Sequence, residues 1–213
     1  MRRFPRLLPR LLPILLLSAL AGCSVLPEAQ TSTVYLLPAE QLAASATPAV
    51  DWALRVATPQ TSQVLDSTRV AVVPQPNQIS GYKGARWSDP APALLRNRLL
   101  EGFRADGRVT ALSSDVKPLH ADLALVGDLR AFQAEYREGG VQVVIRLDAH
   151  LALSNGQRIV AARQFEVRQV VQGSQVDQVV GAFGQAGDRL AAQVVDWTLE
   201  QGQAHARSAR AVR

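Results

Sequence analysis

Three long runs of alternating polarity in the second half of the chain constrain its fold more than any other feature. They span residues 121–136, 139–156 and 157–173. Alternation with a period of two places apolar side chains on one face of a strand and polar side chains on the other. A Gly-Gly pair at 139–140 and an Asn-Gly pair at 155–156 stand at the joints, and Asn-Gly between apolar runs is a strong hairpin signal. The pattern predicts an antiparallel meander with one face in water.

The polar positions of this meander are most simply its solvated face, because a half-buried strand turns every second residue to water. These residues are Gln142, Arg146, Asp148, Arg163 and Arg168. Shorter strands are predicted upstream at 33–37, 51–57 and 68–74, where β-branched and aromatic residues concentrate. Residues 38–50 and 74–84 contain proline and small residues and are predicted as loops.

A first helix is predicted to begin near Ser88 or Asp89, since either side chain can accept hydrogen bonds from free backbone N–H groups. Pro90 suits the first turn, and Gly107 is a natural stop. One apolar stripe faces the core, formed by Leu94, Leu95, Leu99 and Phe103.

A second helix is predicted near the end of the chain, where apolar residues step by four and three positions. The stripe consists of Val176, Val180, Phe183, Gly187, Leu190 and Val194. Gly181, Gly184 and Gly187 also lie three apart, but the spacing is not that of a nucleotide-binding loop. Close packing of the helix on the sheet explains these glycines better. Roughly six strands with two helices on one face predict a two-layer α+β fold with a mostly antiparallel sheet.

The first 22 residues resemble a targeting segment, with four arginines before an apolar stretch too short to span a bilayer. Leu20-Ala21-Gly22-Cys23 then resembles the lipobox of bacterial lipoproteins. The resemblance implies cleavage between Gly22 and Cys23 and acylation of Cys23. Because Ser24 is not an aspartate, it also implies sorting to the outer membrane. An ordinary secretory signal with a chance cysteine is the alternative.

These observations predict four segments along the chain. Residues 1–22 are a cleaved lipoprotein signal peptide, 23–32 are a lipidated tether, and 33–200 are a single α+β domain. Residues 201–213 are a basic tail that is expected to be flexible.

The basic character of the chain lies at its two ends. The pI is about 10.1, but four arginines precede residue 11 and three more follow residue 206. Without the signal segment and the tail, 16 basic residues face 18 acidic ones. The domain therefore has no electrostatic reason to bind nucleic acid.

The chain offers little material for catalysis. Three histidines, His120, His150 and His205, are scattered over predicted loop, strand and tail, and no GxSxG, Walker or HExxH motif occurs. The carboxylates Asp122, Asp128, Asp148 and Glu166 occupy polar strand positions. We therefore expect a non-catalytic protein without a cofactor or metal site. A lipid-anchored hydrolase is a minor alternative, because a sequence does not show which carboxylates meet in space.

The stretch from Ile79 to Leu95 crowds aromatic and charged residues before the first helix. Tyr82, Arg86 and Trp87 are candidates for partner docking, because Tyr, Trp and Arg are enriched at interface hot spots. The other interpretation is that Trp87 covers the core while the following residues start the helix.

Several segments, taken in order, resemble the ABC-type transport auxiliary lipoprotein family, the PqiC-like group. The lipobox is followed by a Tyr-x-Leu strand at Tyr35 and Leu37, by residues 64–74 (VLDSTRVAVVP), and by Arg86–Pro90 (RWSDP) before a leucine-rich helix. The meander and the final amphipathic helix complete the order, over about Cys23 to Glu200.

The resemblance implies a role. Such lipoproteins accompany an ABC permease, an ATPase and an MCE-type substrate-binding protein that together move lipids or other hydrophobic molecules across the Gram-negative envelope. This chain would be the outer-membrane-anchored subunit that docks the periplasmic MCE assembly, with homo-oligomers possible. The alternative is a structural envelope lipoprotein that binds peptidoglycan or supports outer-membrane assembly.

Overall fold

The computed structural model describes residues 31–40, 47–117, 119–155 and 158–211. The predicted signal peptide, the cleavage site between Gly22 and Cys23, and the acylated Cys23 lie outside these residues. The described residues contain nine strands and two helices. In chain order these are β1 (Thr33–Tyr35), β2 (Leu54–Val56), β3 (Gln60–Thr61), β4 (Arg69–Gln75), β5 (Gln78–Trp87), α1 (Ala91–Asp106), β6 (Leu112–Ser114), β7 (Leu123–Arg137), β8 (Gly140–Leu153), β9 (Ile159–Val170) and α2 (Val176–Ala211).

The predicted meander is confirmed. Strands β7, β8 and β9 pair antiparallel along most of their lengths. In β8 the alternating side chains of Val143, Ile145 and Leu147 are buried, as the period of two requires. The β7–β8 turn uses Gly139 and Gly140 at φ 100° and 127°, where an L side chain is strained. The second joint lies partly outside the described residues.

Strand β7 is the centre of a mixed sheet. One of its edges pairs with β8, and the other edge is shared along its length by the shorter parallel strands β2, β3 and β4. Strand β6 extends the sheet beyond β2, and β5 and then β1 extend it beyond β4. Because the antiparallel meander supplies the longest pairings, the sheet is mostly antiparallel, and the α+β class is confirmed.

Residues 74–84, predicted as a loop, are instead the turn and most of the second strand of a β-hairpin. Strand β4 continues to Gln75, and β5 pairs antiparallel with it. Between the pairs Arg69–Arg86 and Ala71–Gly81, β5 carries extra residues that form a bulge, and Gly84 adopts φ 67° there. Glycines that read as loop residues in the sequence therefore serve a bulge inside a strand.

The start of the first helix also differs from the prediction. Helix α1 begins at Ala91, with Pro90 at the cap position and no side chain capping it. The Ser88 hydroxyl donates to the Asp89 carboxylate (2.9 Å), and the Ser88 backbone N–H donates to the Tyr35 carbonyl. Ser88 is therefore bonded to β1 and to Asp89 and does not cap the helix. The predicted stop is confirmed, because Gly107 adopts φ 80° and donates its N–H to the Phe103 carbonyl.

Helix α2 is longer than its apolar stripe suggested and includes most of the segment predicted as a flexible tail. It continues to Ala211. Its last turns run beside the start of the domain, where Arg210 forms an ion pair with Asp51. A Cβ placed on Gly202 would lie 2.5 Å from the Trp52 ring, so the two are in close contact.

Both helices pack on one face of the sheet and enclose the core. Phe183 of α2 stacks on Phe132 of β7 (4.9 Å between ring centroids), and Trp197 meets Phe165 of β9 edge-on (5.5 Å). Of the residues predicted for the solvated face, Arg163 lies instead on the helix side. It pairs in register with buried Ala149, and its guanidinium lies over the Phe165 ring (4.8 Å).

Candidate functional site

Trp87, one of the three predicted docking residues, lies in the core. Its side chain is 1% exposed. The indole meets Phe183 edge-on at 5.2 Å and Phe132 at 6.1 Å between ring centroids, so it joins β5, β7 and α2. A side chain with almost no exposed area has little surface to offer a partner, and this burial favours the core interpretation of Trp87.

Tyr82 and Arg86, the other two, occupy different environments on β5. Tyr82 is half-buried, and burial, together with the neighbouring phenol of Tyr136, raises the pKa of Tyr82. Arg86 is exposed and stands directly opposite Arg69 of β4. The structure therefore does not gather the three predicted residues into one exposed cluster.

Arg86 belongs to a different group, which we call the basic hairpin patch: Arg69, Lys83 and Arg86. All three are exposed. The stem of Arg69 lies over Gly81, where an added Cβ would be 3.3 Å from the Arg69 Cβ. Within the described residues, none of the three side chains has a carboxylate within ion-pair distance. Like charges directly opposite each other in a sheet are destabilising.

The outer face of the meander is arranged differently, because its arginines have carboxylate partners. Arg130 donates to Asp148 (2.7 Å) and Arg146 to Glu166 (2.5 Å). The hydrogen bond from Arg130 lowers the pKa of Asp148, and the bond from Arg146 lowers the pKa of Glu166. We call this set the outer ion-pair ladder, with further members Glu135, Arg137, Gln164 and Arg168. Its charges largely neutralise one another.

A buried ion pair holds the first residues of the domain. Arg98 of α1 and Asp188 of α2 lie 3.1 Å apart and are 3% and 7% exposed. The Arg98 guanidinium also donates to the Pro38 carbonyl. Asp188 accepts the backbone N–H of Glu40 (3.0 Å). We call this arrangement the N-terminal clamp, because it fixes the chain just after β1.

The clamp explains Gly184 of α2 more closely than helix-on-sheet packing does. A Cβ on Gly184 would lie 2.9 Å from both the Cβ and the carbonyl oxygen of Pro38, whereas one on Gly181 would meet none of the described residues within 4 Å. Sequence reasoning did not identify the clamp. The available signal was a charged residue beside each apolar stripe, Arg98 between Leu95 and Leu99 and Asp188 after Gly187.

A groove of about 440 Å³ lies beside the last turns of α2. It brings His120 and His205 near Asp122, although the sequence separates them widely. Asp122 accepts the backbone N–H of Ala53 (2.8 Å). Among the described residues no group of three or more His, Cys, Asp or Glu side chains is arranged to hold a metal ion. Over the same part of the chain, no helix is both long and apolar enough to cross a membrane.

Comparison with known proteins gives one family. A family model described as an ABC-type transport auxiliary lipoprotein component matches residues 35–195. A crystal structure of a Xanthomonas campestris protein, assigned to a family named DUF330, is 31% identical with a TM-score of 0.76 and covers 83% of this chain and 99% of that one. A second crystal structure, of an uncharacterized protein, is 20% identical with a TM-score of 0.61, covers 78% of this chain and 97% of that one, and shows the fold alone.

A curated relative extends the comparison to a larger protein. An uncharacterized protein from Bradyrhizobium diazoefficiens is 27% identical over 146 residues, which are 68% of this chain. The match spans 39% of that relative's length.

Proposed function

This chain belongs to the family of ABC-type transport auxiliary lipoprotein components, and from that premise we propose a specific role for it. It is the non-catalytic, outer-membrane-anchored subunit of an ABC system whose substrate-binding protein is of the MCE type. The system moves lipids or other hydrophobic molecules across the Gram-negative envelope. The observation that carries this proposal is the family match over residues 35–195.

The anchor is the acylated Cys23. Several acyl chains hold a protein stably at a bilayer, where a single chain binds marginally. The domain begins close to this position, because β1 starts at Thr33 and the N-terminal clamp fixes Pro38 and Glu40 soon after. A force applied through the tether would therefore reach the domain at β1 and the clamp.

The anchor is tested by changing Cys23 in cells and fractionating the envelope. Cys23→Ala should release the protein into the periplasm, because no acyl chain can be attached. Ser24→Asp is the matched control: it keeps the acylated cysteine but should move the protein from the outer to the inner membrane. A Cys23→Ala protein that stayed in the outer membrane would contradict the anchor.

The transport role is tested by purifying this protein from detergent-solubilised membranes and asking whether an MCE-type protein co-purifies with it. The proposal expects a complex that survives washing, and its repeated absence would contradict the partner assignment. A pull-down on purified sacculi separates the alternative, because a peptidoglycan-binding lipoprotein would sediment with them and a transport subunit would not.

A further inference from the structure

We propose that the open edge of β5, with the basic hairpin patch beside it, is the surface on which an extended acidic segment of the transport partner docks. The identity of the partner rests on the proposed function. The surface itself follows from the contacts of β4 and β5.

Within the part of the chain that the structure describes, strand β5 has no neighbour along most of one edge. Strand β4 pairs with one side of β5, and β1 pairs with the other side only at Ala85–Trp87. Among the strands of the described residues, none lies beside Gln78–Gly84 on the β1 side, a length of about 20 Å. An exposed strand edge carries free N–H and C=O groups, and partner peptides bind such edges by adding a strand.

The positive charge beside this edge favours an added strand that carries carboxylates. Arg69 and Arg86 face each other across the hairpin, and Lys83 lies in the bulge between them and the turn. Like charges directly opposite each other destabilise the hairpin, and no carboxylate of the described residues lies within ion-pair distance of them. Carboxylates on an incoming strand would provide the missing negative charge. Ile79, which is 38% exposed, adds an apolar contact at the same edge.

Two features of the chain favour this edge and this occupant. The other long edge strand, β9, is partly occupied, because Arg189 of α2 donates to the Arg168 carbonyl (2.8 Å). A second copy of the chain pairing at β5 would bring three further cations to the same place, which opposes self-association.

The first experiment measures binding of the acylated protein in detergent to the purified MCE protein. The variant Arg69→Glu/Lys83→Glu/Arg86→Glu should bind roughly tenfold more weakly or worse and lose much of the salt dependence of the wild type. The matched control is Arg104→Glu/Arg158→Glu/Arg207→Glu, which changes the net charge equally at exposed positions elsewhere and should bind as the wild type does.

The outcomes separate the surface from the function. Equal weakening by both triple variants means non-specific attraction, and no weakening by either means that the patch is not used; each result overturns the proposal. If the wild type itself does not bind the MCE protein, the result contradicts the proposed function, and the docking surface, which rests on that function, is overturned with it. Patch-dependent binding to vesicles of phosphatidylglycerol and phosphatidylcholine, without patch-dependent binding to the MCE protein, would identify a lipid occupant and also overturn the proposal.

A single variant distinguishes docking from a structural role. Arg86→Glu turns the opposed pair into a cross-strand ion pair with Arg69, so its melting temperature should rise while its affinity for the partner falls. A merely structural residue would not separate the two readouts. An unchanged affinity would remove Arg86 from the docking surface.

Hydrogen exchange identifies what covers the edge. The amides of Gln78–Gly84 that point away from β4 should exchange faster without partner than with it, whereas those that bond to β4 are protected in both states. Protection of the outward-pointing amides in the isolated protein would mean that another part of the chain covers the edge, and protection that depends on protein concentration would mean a second copy. Either result would overturn the proposal.

Discussion

The two faces of the sheet use the same ionic groups in opposite ways. On the helix side, one Arg–Asp pair lies between α1 and α2 and both side chains are almost fully buried. On the outer face, most of the ion-pair ladder lies in partial or full contact with water, and Glu135, at 7% exposed, is the buried member of the ladder. Water screens the ladder, whereas the buried pair depends on its own geometry and on hydrogen bonds to the backbone of Pro38 and Glu40. Burial, and not the number of ion pairs, therefore sets how much an ion pair contributes to stability.

The largest loss of stability is expected when the buried pair is broken. Asp188→Ala removes the buried carboxylate from the Arg98 guanidinium, which keeps only the exposed carboxylate of Glu101 (3.1 Å), and it releases the Glu40 backbone N–H. We therefore expect a loss of about 3–5 kcal/mol in the free energy of unfolding. Urea denaturation measures it. The control is Asp196→Ala on the same helix, whose pair with Arg108 is exposed on the aspartate side, with an expected loss of about 1 kcal/mol or less. Equal losses of stability would contradict the expectation that the buried ion pair matters more than the exposed one.

Trp87→Ala is expected to cost nearly as much, about 3–4 kcal/mol, because it leaves a cavity beside Phe132 and Phe183. Thermal unfolding measures the change, and Trp87→Phe should recover part of it. Partner binding by the folded fraction should stay close to that of the wild type. A variant that melts normally but no longer binds would restore the docking interpretation of Trp87.

Gly184→Ala should destabilise the domain by about 1–3 kcal/mol, since the new methyl group would overlap Pro38 within the clamp. Gly181→Ala, one turn earlier, meets no atom of the described residues within 4 Å and should be neutral or stabilising by up to about 1 kcal/mol. Chemical denaturation of both variants provides the measurement. If Gly184→Ala were also stabilising, the chain near Pro38 would not be held against α2.

The smallest effect is expected on the outer face. Glu166→Gln removes a carboxylate that accepts from Arg146 and Arg168, and the exposed setting limits the loss to about 1 kcal/mol or less. The folded-state pKa of Glu166 lies below its usual value, so its contribution is present above pH about 4–5 and is lost as the pH falls through the folded-state pKa. The melting temperatures of wild type and variant should therefore differ near neutral pH and converge in acid. A gap that persists in acid would exclude this ionic cause.

The meander and the helix stop at Gly107 were predictable because their signals are local. Alternation, a glycine pair and a glycine after an apolar stripe act over a few neighbouring residues. The β4–β5 hairpin was not predictable, because Gly81, Gly84 and the prolines around the turn signal a loop until β4 is seen to pair with β5. The last turns of α2 were missed for a similar reason: a basic segment looks mobile until Asp51 and Trp52 are placed against it.

The sequence by itself determined the α+β class, the strands of the meander and the apolar stripes that bury one face of each helix, since hydrophobic periodicity fixes which side of an element avoids water. Only the tertiary structure decided the roles of individual charged and aromatic residues. It buried Trp87, paired Arg98 with Asp188 across 90 positions of sequence, and placed Arg69 opposite Arg86 with no carboxylate of the described residues in ion-pair distance. The energy of a charge depends on its distance from other charges and from water, and long-range packing sets both distances.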